Sequence, residues 1–187
     1  MISRINCTIN PSSVQALLDQ TSPQYQALQW LIEDLQERPI VSNTKILQRL
    51  SMAIVFFGMN GDSWTNGEGW LSSDDICQWF STSTDPTCND EGLMQRLELQ
   101  SNNLVGYIPD EIRLLSESLL VLNLSQNRLV GEIPEKLGEL TNLSLVRLES
   151  NDLAGTIPSA MCERPVDAVV ALFVDCSEVE CSCCEGC

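Results

Sequence analysis

The chain has 187 residues, 43% of them hydrophobic, which is ample for a packed core. Twenty-six acids against ten Lys and Arg leave a formal charge of −16, a surface that repels nucleic acid and anionic lipid headgroups and excludes both as expected partners. Histidine is absent, so no Ser-His or Cys-His catalytic pairing can be assembled.

Residues 1–60 read as a helical segment. Ser22-Pro23 has the form of an N-cap followed by proline at the first helical position. Tyr25, Leu28, Ile32 and Leu35 then share one predicted face. A second helix is predicted through "TKILQRLSMAIVFF", with Ile46, Leu50, Ala53, Ile54 and Phe57 along a face. Its run "MAIVFFGM" is shorter than the ~20 apolar residues a bilayer span requires. The opening "MISRINCTINPS" lacks the apolar stretch of a signal peptide. "GMNGDSWTNGEGW" ends the helical pattern, because Asn-Gly and Gly-Asp favour turns. Residues 61–92 follow, with Trp64, Trp70, Trp79 and Phe80 expected as packing residues.

From residue 93 to 161 the chain repeats. "LELQSNNLVGYIP" begins at Leu97, "LNLSQNRLVGEIP" at Leu122 and "VRLESNDLAGTIP" at Val146. Asn102, Asn127 and Asn151 keep the same steps as Gly106, Gly131 and Gly155. A period of this length with LxLxxNxLxGxIP is a leucine-rich-repeat signature. Each coil must stack on its neighbours to bury its apolar side. In LxL the leucines point inward and their neighbours outward. The asparagines are expected to form a buried polar ladder where the chain turns inward. The glycines suit a bend, and the Ile-Pro pairs suit an irregular outer wall. Val169, Leu172 and Val174 form a degenerate fourth strand, followed by Asp175 and Cys176 in place of the ladder motif.

Residues 162–187 form the last coil and a cysteine-rich end. Cys77 and Cys88 bracket the start of the repeats and are expected to pair. Cys162, Cys176, Cys181, Cys183, Cys184 and Cys187 bracket the end, and their connectivity is open. Disulfides fix small lids in oxidising compartments, and Cys7 is the thiol expected to be left over. "CSEVECSCCEGC" also contains a CxxC of metal-ligand spacing, yet no second separated CxxC and no histidine accompany it. No metal and no cofactor is expected.

On these motifs the chain resembles a plant-type leucine-rich-repeat ectodomain. "GDSWTNGEGWLSSDDICQWFSTSTDPTC" is similar to the N-terminal cap of that family, in which a tryptophan and a cysteine pair seal the first coil. "SPQYQALQWL", "QRLSMAIVFFGMNGDSW" and the cysteine-dense end more closely resemble algal, diatom-type members. Many of those are single-pass membrane proteins with the repeats outside. The resemblance implies an α/β fold: a short right-handed solenoid of three good repeats plus a degenerate one, with a helical N-terminal cap and a cysteine-rich C-terminal cap. It also implies an extracellular or cell-surface location, with any membrane anchor outside this chain.

The concave face is the usual binding surface of such an architecture. Its expected columns are Gln95, Glu98 and Gln100, then Leu120, Asn123 and Ser125, then Leu145, Arg147 and Glu149. The polar members of these columns are the candidate ligand-binding residues. Asn6, Asn123 and Asn142 begin formal N-glycosylation sequons. Four strands each ~17 Å long, ~4.8 Å apart, present only about 300 Å². A standard partner covers about 800 Å² per side, so the ends of the solenoid are expected to take part. The reading is a non-catalytic recognition module, receptor-like or adhesive, that binds a protein, peptide or cell-wall glycan. The alternatives are a secreted inhibitor of polysaccharide-degrading enzymes and an intracellular protein-interaction scaffold.

Overall fold

The computed structural model describes residues 15–38, 40, 42–164 and 171–185. Among the described residues two long helices precede the coils, α1 (Pro23–Glu37) and α2 (Asn43–Gly58). Ser22 caps α1, its hydroxyl accepting from the Tyr25 amide at 3.1 Å, with Pro23 in the first turn where no amide is missed. Ser42 caps α2 through the Lys45 amide. The buried face of α1 is centred on Ala27 and Leu31, whereas the predicted stripe of Tyr25, Leu28, Ile32 and Leu35 is half-buried. The stripe is rotated because α1 packs through small Ala27 closely onto α2.

α2 is buried almost all round, the state expected of a helix that is apolar on every side. Ile46, Leu50, Ala53 and Ile54 face α1. Met52, Val55, Phe56 and Met59 face the first coil and join the main core. Its buried polar residues bond across that junction. The Gln48 side chain donates to Ser118 Oγ at 3.0 Å and accepts from the Met94 amide at 3.1 Å. Ser51 Oγ donates to the Glu111 carbonyl at 2.9 Å. Arg49, 2% exposed, pairs with Asp34 at 2.6 Å and lies between the rings of Trp30 and Trp79 at 4.9 and 5.0 Å.

Two parallel sheets then run the length of the coils. The first holds β1 (Arg96–Glu98), β3 (Val121–Asn123), β5 (Leu145–Arg147) and β7 (Ala171–Phe173), in that order. Leu97, Leu122, Val146 and Leu172 lie side by side in register and all are buried. The second holds β2 (Val105–Gly106), β4 (Arg128–Glu132), β6 (Asp152–Thr156) and β8 (Val179–Glu180). This second sheet was not foreseen: the glycines read as bends lie within or beside its strands. The 3₁₀ turns Asp110–Leu115 and Glu135–Glu139 and the short helix α3 (Ser159–Cys162) close the coils. Gly106 sits where the second sheet meets α2, with φ of +125°; a Cβ there would stand 2.2 Å from the Gly58 carbonyl oxygen.

The asparagine ladder forms as the spacing implied. Asn102 holds the Asn66 backbone, and Asn127 Oδ1 accepts from the amides of Asn102 and Leu104, both at 3.0 Å. Asn151 Oδ1 accepts from the Leu129 amide at 3.0 Å. In the last coil Asp175 stands in, accepting from the amides of Ser150 and Asn151 at 2.9 and 3.0 Å. The ladder thus continues where the sequence showed only its interruption.

Both ends are closed by irregular chain. The β1 edge is covered by residues 81–88: Thr82 donates to the Glu98 carbonyl, and the Arg96 amide donates to Thr87. The Cys77–Cys88 disulfide closes that loop, and Trp64, Trp70 and Trp79 pack beneath it, each 8% exposed or less. At the far end the Glu185 amide donates to the Leu172 carbonyl. Disulfides Cys162–Cys183 and Cys181–Cys184 lock this end, and Cys176 is also disulfide-bonded. Val169, Cys7 and Cys187 lie outside the described residues.

Candidate functional site

The outward row of the first sheet runs Glu98, Asn123, Arg147 and Phe173, fixed by strand register. Phe173 was not foreseen as a member, although its place directly after Leu172 carried the signal. The preceding row is Arg96, Val121, Leu145 and Ala171. Gln95 and Leu120 therefore fall one residue before the strands, and Arg96 takes the outward place expected for Gln95. The repeats are 25 and then 24 residues apart, so the third-coil match of Gln95 and Leu120 is Ser144, and Leu145 belongs with Arg96 and Val121.

Side chains on this face bond mostly to one another. Arg96 reaches Glu98 at 2.7 Å and Asp85 at 3.4 Å. Arg147 donates to Glu149 Oε1 through both Nε, at 2.8 Å, and Nη2. Its guanidinium also covers the Phe173 ring at 5.2 Å. Glu149 Oε2 is enclosed and has no partner among the described residues. Gln100 is exposed and accepts from Asn123 Nδ2 at 2.9 Å.

Two members of the expected binding row are not accessible. Asn123 is 4% exposed and Ser125 1%, because Ser125 Oγ donates to Asn123 Oδ1 at 2.7 Å and longer neighbours cover the pair. The face therefore offers exposed Gln100 and half-buried Gln95, Glu98, Arg147 and Glu149. Such a strip can form hydrogen bonds and ion pairs with a partner.

Of the sequons, Asn142 is exposed, its amide donating to the carbonyls of Ser116 and Glu117 at 2.9 and 3.2 Å. Asn123 Nδ2 is buried, and Asn6 lies outside the described residues. The sulfurs of Cys162, Cys181 and Cys183 lie within 4.8 Å of one another, but each is committed to a disulfide and offers no thiolate. Among the described residues no helix is long and apolar enough to cross a membrane.

The chain matches the Leucine Rich Repeat family over residues 118–140. It is 39% identical over 99 residues to Phytosulfokine receptor 1 of Arabidopsis thaliana, covering 50% of this chain and 9% of that protein. Its fold is similar to the crystal structure of PEPR1–AtPEP1, with a TM-score of 0.51 at 24% identity, covering 66% of this chain and 17% of the other. The BIR3–SERK2 complex of Arabidopsis thaliana aligns with a TM-score of 0.46 at 28% identity, over 63% of this chain and 64% of the other. The chain thus spans less than a fifth of the length of Phytosulfokine receptor 1 and of the chain in the PEPR1–AtPEP1 structure. The family match and the likeness to Phytosulfokine receptor 1 support a plant-type leucine-rich-repeat protein, and the likeness to PEPR1–AtPEP1 supports its α/β fold.

Proposed function

We propose that this plant-type leucine-rich-repeat chain is a non-catalytic, receptor-like recognition module of the cell surface, and that its ligand is a peptide or protein. The observation that carries the proposal is the rigid outward strip of Glu98, Gln100, Arg147 and Glu149, held in register by parallel strands. The likeness to a protein named as a receptor supports the same reading. A cell-wall glycan is the second ligand class such a polar strip accommodates. Within this proposal the coils are three good repeats and a degenerate fourth. Residues 1–60 with 61–92 act as the N-terminal lid, residues 93–161 carry the repeats, and 162–187 are the C-terminal lid. The diatom-type architecture, with an anchor outside this chain, belongs to it too. Asn142 is then the sequon that carries a glycan, since Asn123 is enclosed.

The test is binding of the full, disulfide-intact chain to a library of synthetic secreted-type peptides by biolayer interferometry. Arg147→Ala combined with Glu149→Ala is expected to weaken a saturable binder at least tenfold. Glu135→Ala, on the back of the solenoid, is expected to leave it unchanged. Equal binding by all three proteins would remove the strip from the site.

A further inference from the structure

Between the N-terminal half of α2, with Arg38 and Ile40 before it, and residues Asp75, Ile76 and Gly92 lies a cavity of about 380 Å³. Its walls carry Arg38, Lys45 and Arg49 against one carboxylate, Asp75. Three of the ten basic residues of a chain with net charge −16 thus gather at one cavity. Two of the four charges are already engaged. Arg49 is held by Asp34 at 2.6 and 2.8 Å, and Asp75 accepts from the Cys77 amide at 3.0 Å.

Neither of the other two has an ion-pair partner among the described residues. Arg38 donates through Nη2 to the Asp74 carbonyl at an exposed position. Lys45 sits in the first turn of α2, where the helix dipole disfavours a cation and favours an anion. Its ammonium lies over Gly92, so close that a Cβ at that position would stand 2.6 Å from Nζ. Ile40 and Ile76 supply apolar wall.

We propose that this cavity binds a carboxylate carried on a short apolar body. Lys45 Nζ and the outer nitrogens of the Arg38 guanidinium receive the carboxylate, and Ile40 and Ile76 receive the body. The volume is at the small end of ligand pockets, which run from ~300 to ~1,000 Å³. A fully hydrated anion such as phosphate makes no use of the isoleucines. The C-terminal residue of a peptide and a free small organic acid both carry the chemistry the cavity selects. The site is separate from the concave strip and stands whether or not that strip binds a partner.

The probe is N-acetyl-leucine, titrated into the full chain with isotope-labelled isoleucine methyl groups and followed by NMR. Saturable shifts are expected at Ile40 and Ile76. N-acetyl-leucinamide, which lacks the carboxylate, is expected to bind at least tenfold more weakly. Lys45→Met and Arg38→Gln are each expected to lower affinity at least tenfold, with tryptophan fluorescence confirming an intact fold. Isovalerate binding as well as N-acetyl-leucine assigns the site to small acids, and weaker isovalerate binding assigns it to peptide ends. Absence of saturable shifts, equal binding of the amide, unchanged binding by both variants, or displacement by inorganic phosphate at equal affinity would each overturn the proposal.

Discussion

Replacing Asn127 with leucine tests the polar ladder directly. The Asn127 side chain is saturated: Oδ1 accepts from the Asn102 and Leu104 amides, and the two protons of Nδ2 are shared among the carbonyls of Leu99, Leu124 and Ser125. These bonds are not equally vulnerable. The Leu124 carbonyl also accepts from Asn151 Nδ2, and the Ser125 carbonyl from the Ser101 amide. The Asn102 and Leu104 amides and the Leu99 carbonyl have no second partner among the described residues. A buried backbone group left unpaired costs about 1–3 kcal/mol. Asn127 is only half-buried, so water reaches some of the three. The expected loss for Asn127→Leu is therefore about 3–5 kcal/mol, a large fraction of a typical domain's stability of ~5–15 kcal/mol.

Asn127→Asp separates accepting from donating. It keeps both amide bonds but sets a carboxylate oxygen against three carbonyls now 2.9–3.0 Å from Nδ2. The protonated acid can donate once, so its folded pKa is raised above the unfolded value of about 3.9. A raised folded pKa gives stability that is present below the unfolded pKa and lost as pH rises through the folded one. The aspartate variant should therefore lie nearest the parent at low pH and diverge as pH rises. Urea unfolding, followed by tryptophan fluorescence with disulfides intact, reads both effects. Ser144→Ala is the control: it removes one exposed bond to the Leu120 carbonyl and should cost under about 1 kcal/mol. An Asn127→Leu variant within about 1 kcal/mol of the parent, or an aspartate variant whose deficit ignores pH, would refute the ladder as a stabilising element.

Other perturbations follow from the same packing. Gly131→Ala, at φ +85° with its nearest neighbour 4.0 Å away, should cost about 1–2 kcal/mol in urea unfolding, while Gly106→Ala should exceed it by about 2 kcal/mol through its clash with Gly58. Arg49→Met leaves Asp34 enclosed and unpaired, an expected loss of about 3–5 kcal/mol that adding Asp34→Asn should partly reverse. Replacing Cys77 and Cys88 by serine should cost about 3 kcal/mol, measured against the disulfide-intact parent, from a loop of separation 11. The Tyr107 phenol is raised above its ordinary 10.0, first by loss of water contact and then by the Glu111 carboxylate. Its contribution to stability is thus intact below about pH 10 and lost as pH rises through the folded value. Phenolate absorbance should show this late titration, and Glu111→Gln should bring it back toward normal.

What the sequence disclosed was set by interactions repeated at fixed spacing. Leu97, Leu122 and Val146 must meet because each coil repeats the same inward position, so their register was readable before any coordinate. The Cys77–Cys88 pair was readable because both flank the same short loop. The second sheet was not. Its strands of two to five residues carry no alternating pattern of their own and pair only because the first sheet has already aligned the coils. Exposure on the concave face was only half legible. Direction follows from strand alternation, but burial of Asn123 and Ser125 depends on the reach of neighbouring Gln100, Glu98 and Arg147. The α2 network of Gln48, Arg49 and Ser51 was invisible as well, since each bonds to a partner distant in sequence.

The geometry of the strip limits how it can hold a partner. Its strands are three residues long, so four of them at ~3.3 Å per residue and ~4.8 Å apart present about 200 Å², less than the sequence alone suggested. Its charges are already paired, Arg96 with Glu98 and Arg147 with Glu149. A partner that takes over one of these charges loses an existing pair as it forms a new one, and exposed pairs are worth only about 0–1 kcal/mol. Affinity must then come from buried anchors. Phe173 beneath Arg147 is the one aromatic ring on the strip, and the Glu149 oxygen enclosed beside them still lacks a donor. On the proposed function Arg147 would govern recognition: a ligand that supplies a donor to Glu149 and displaces Arg147 from Phe173 would gain both an apolar contact and a charge-assisted bond. Arg147→Ala separates these terms, because it uncovers the ring while leaving Glu149 unpaired. A ligand anchored on Phe173 should bind that variant more tightly, and one that bonds to the guanidinium should bind it more weakly.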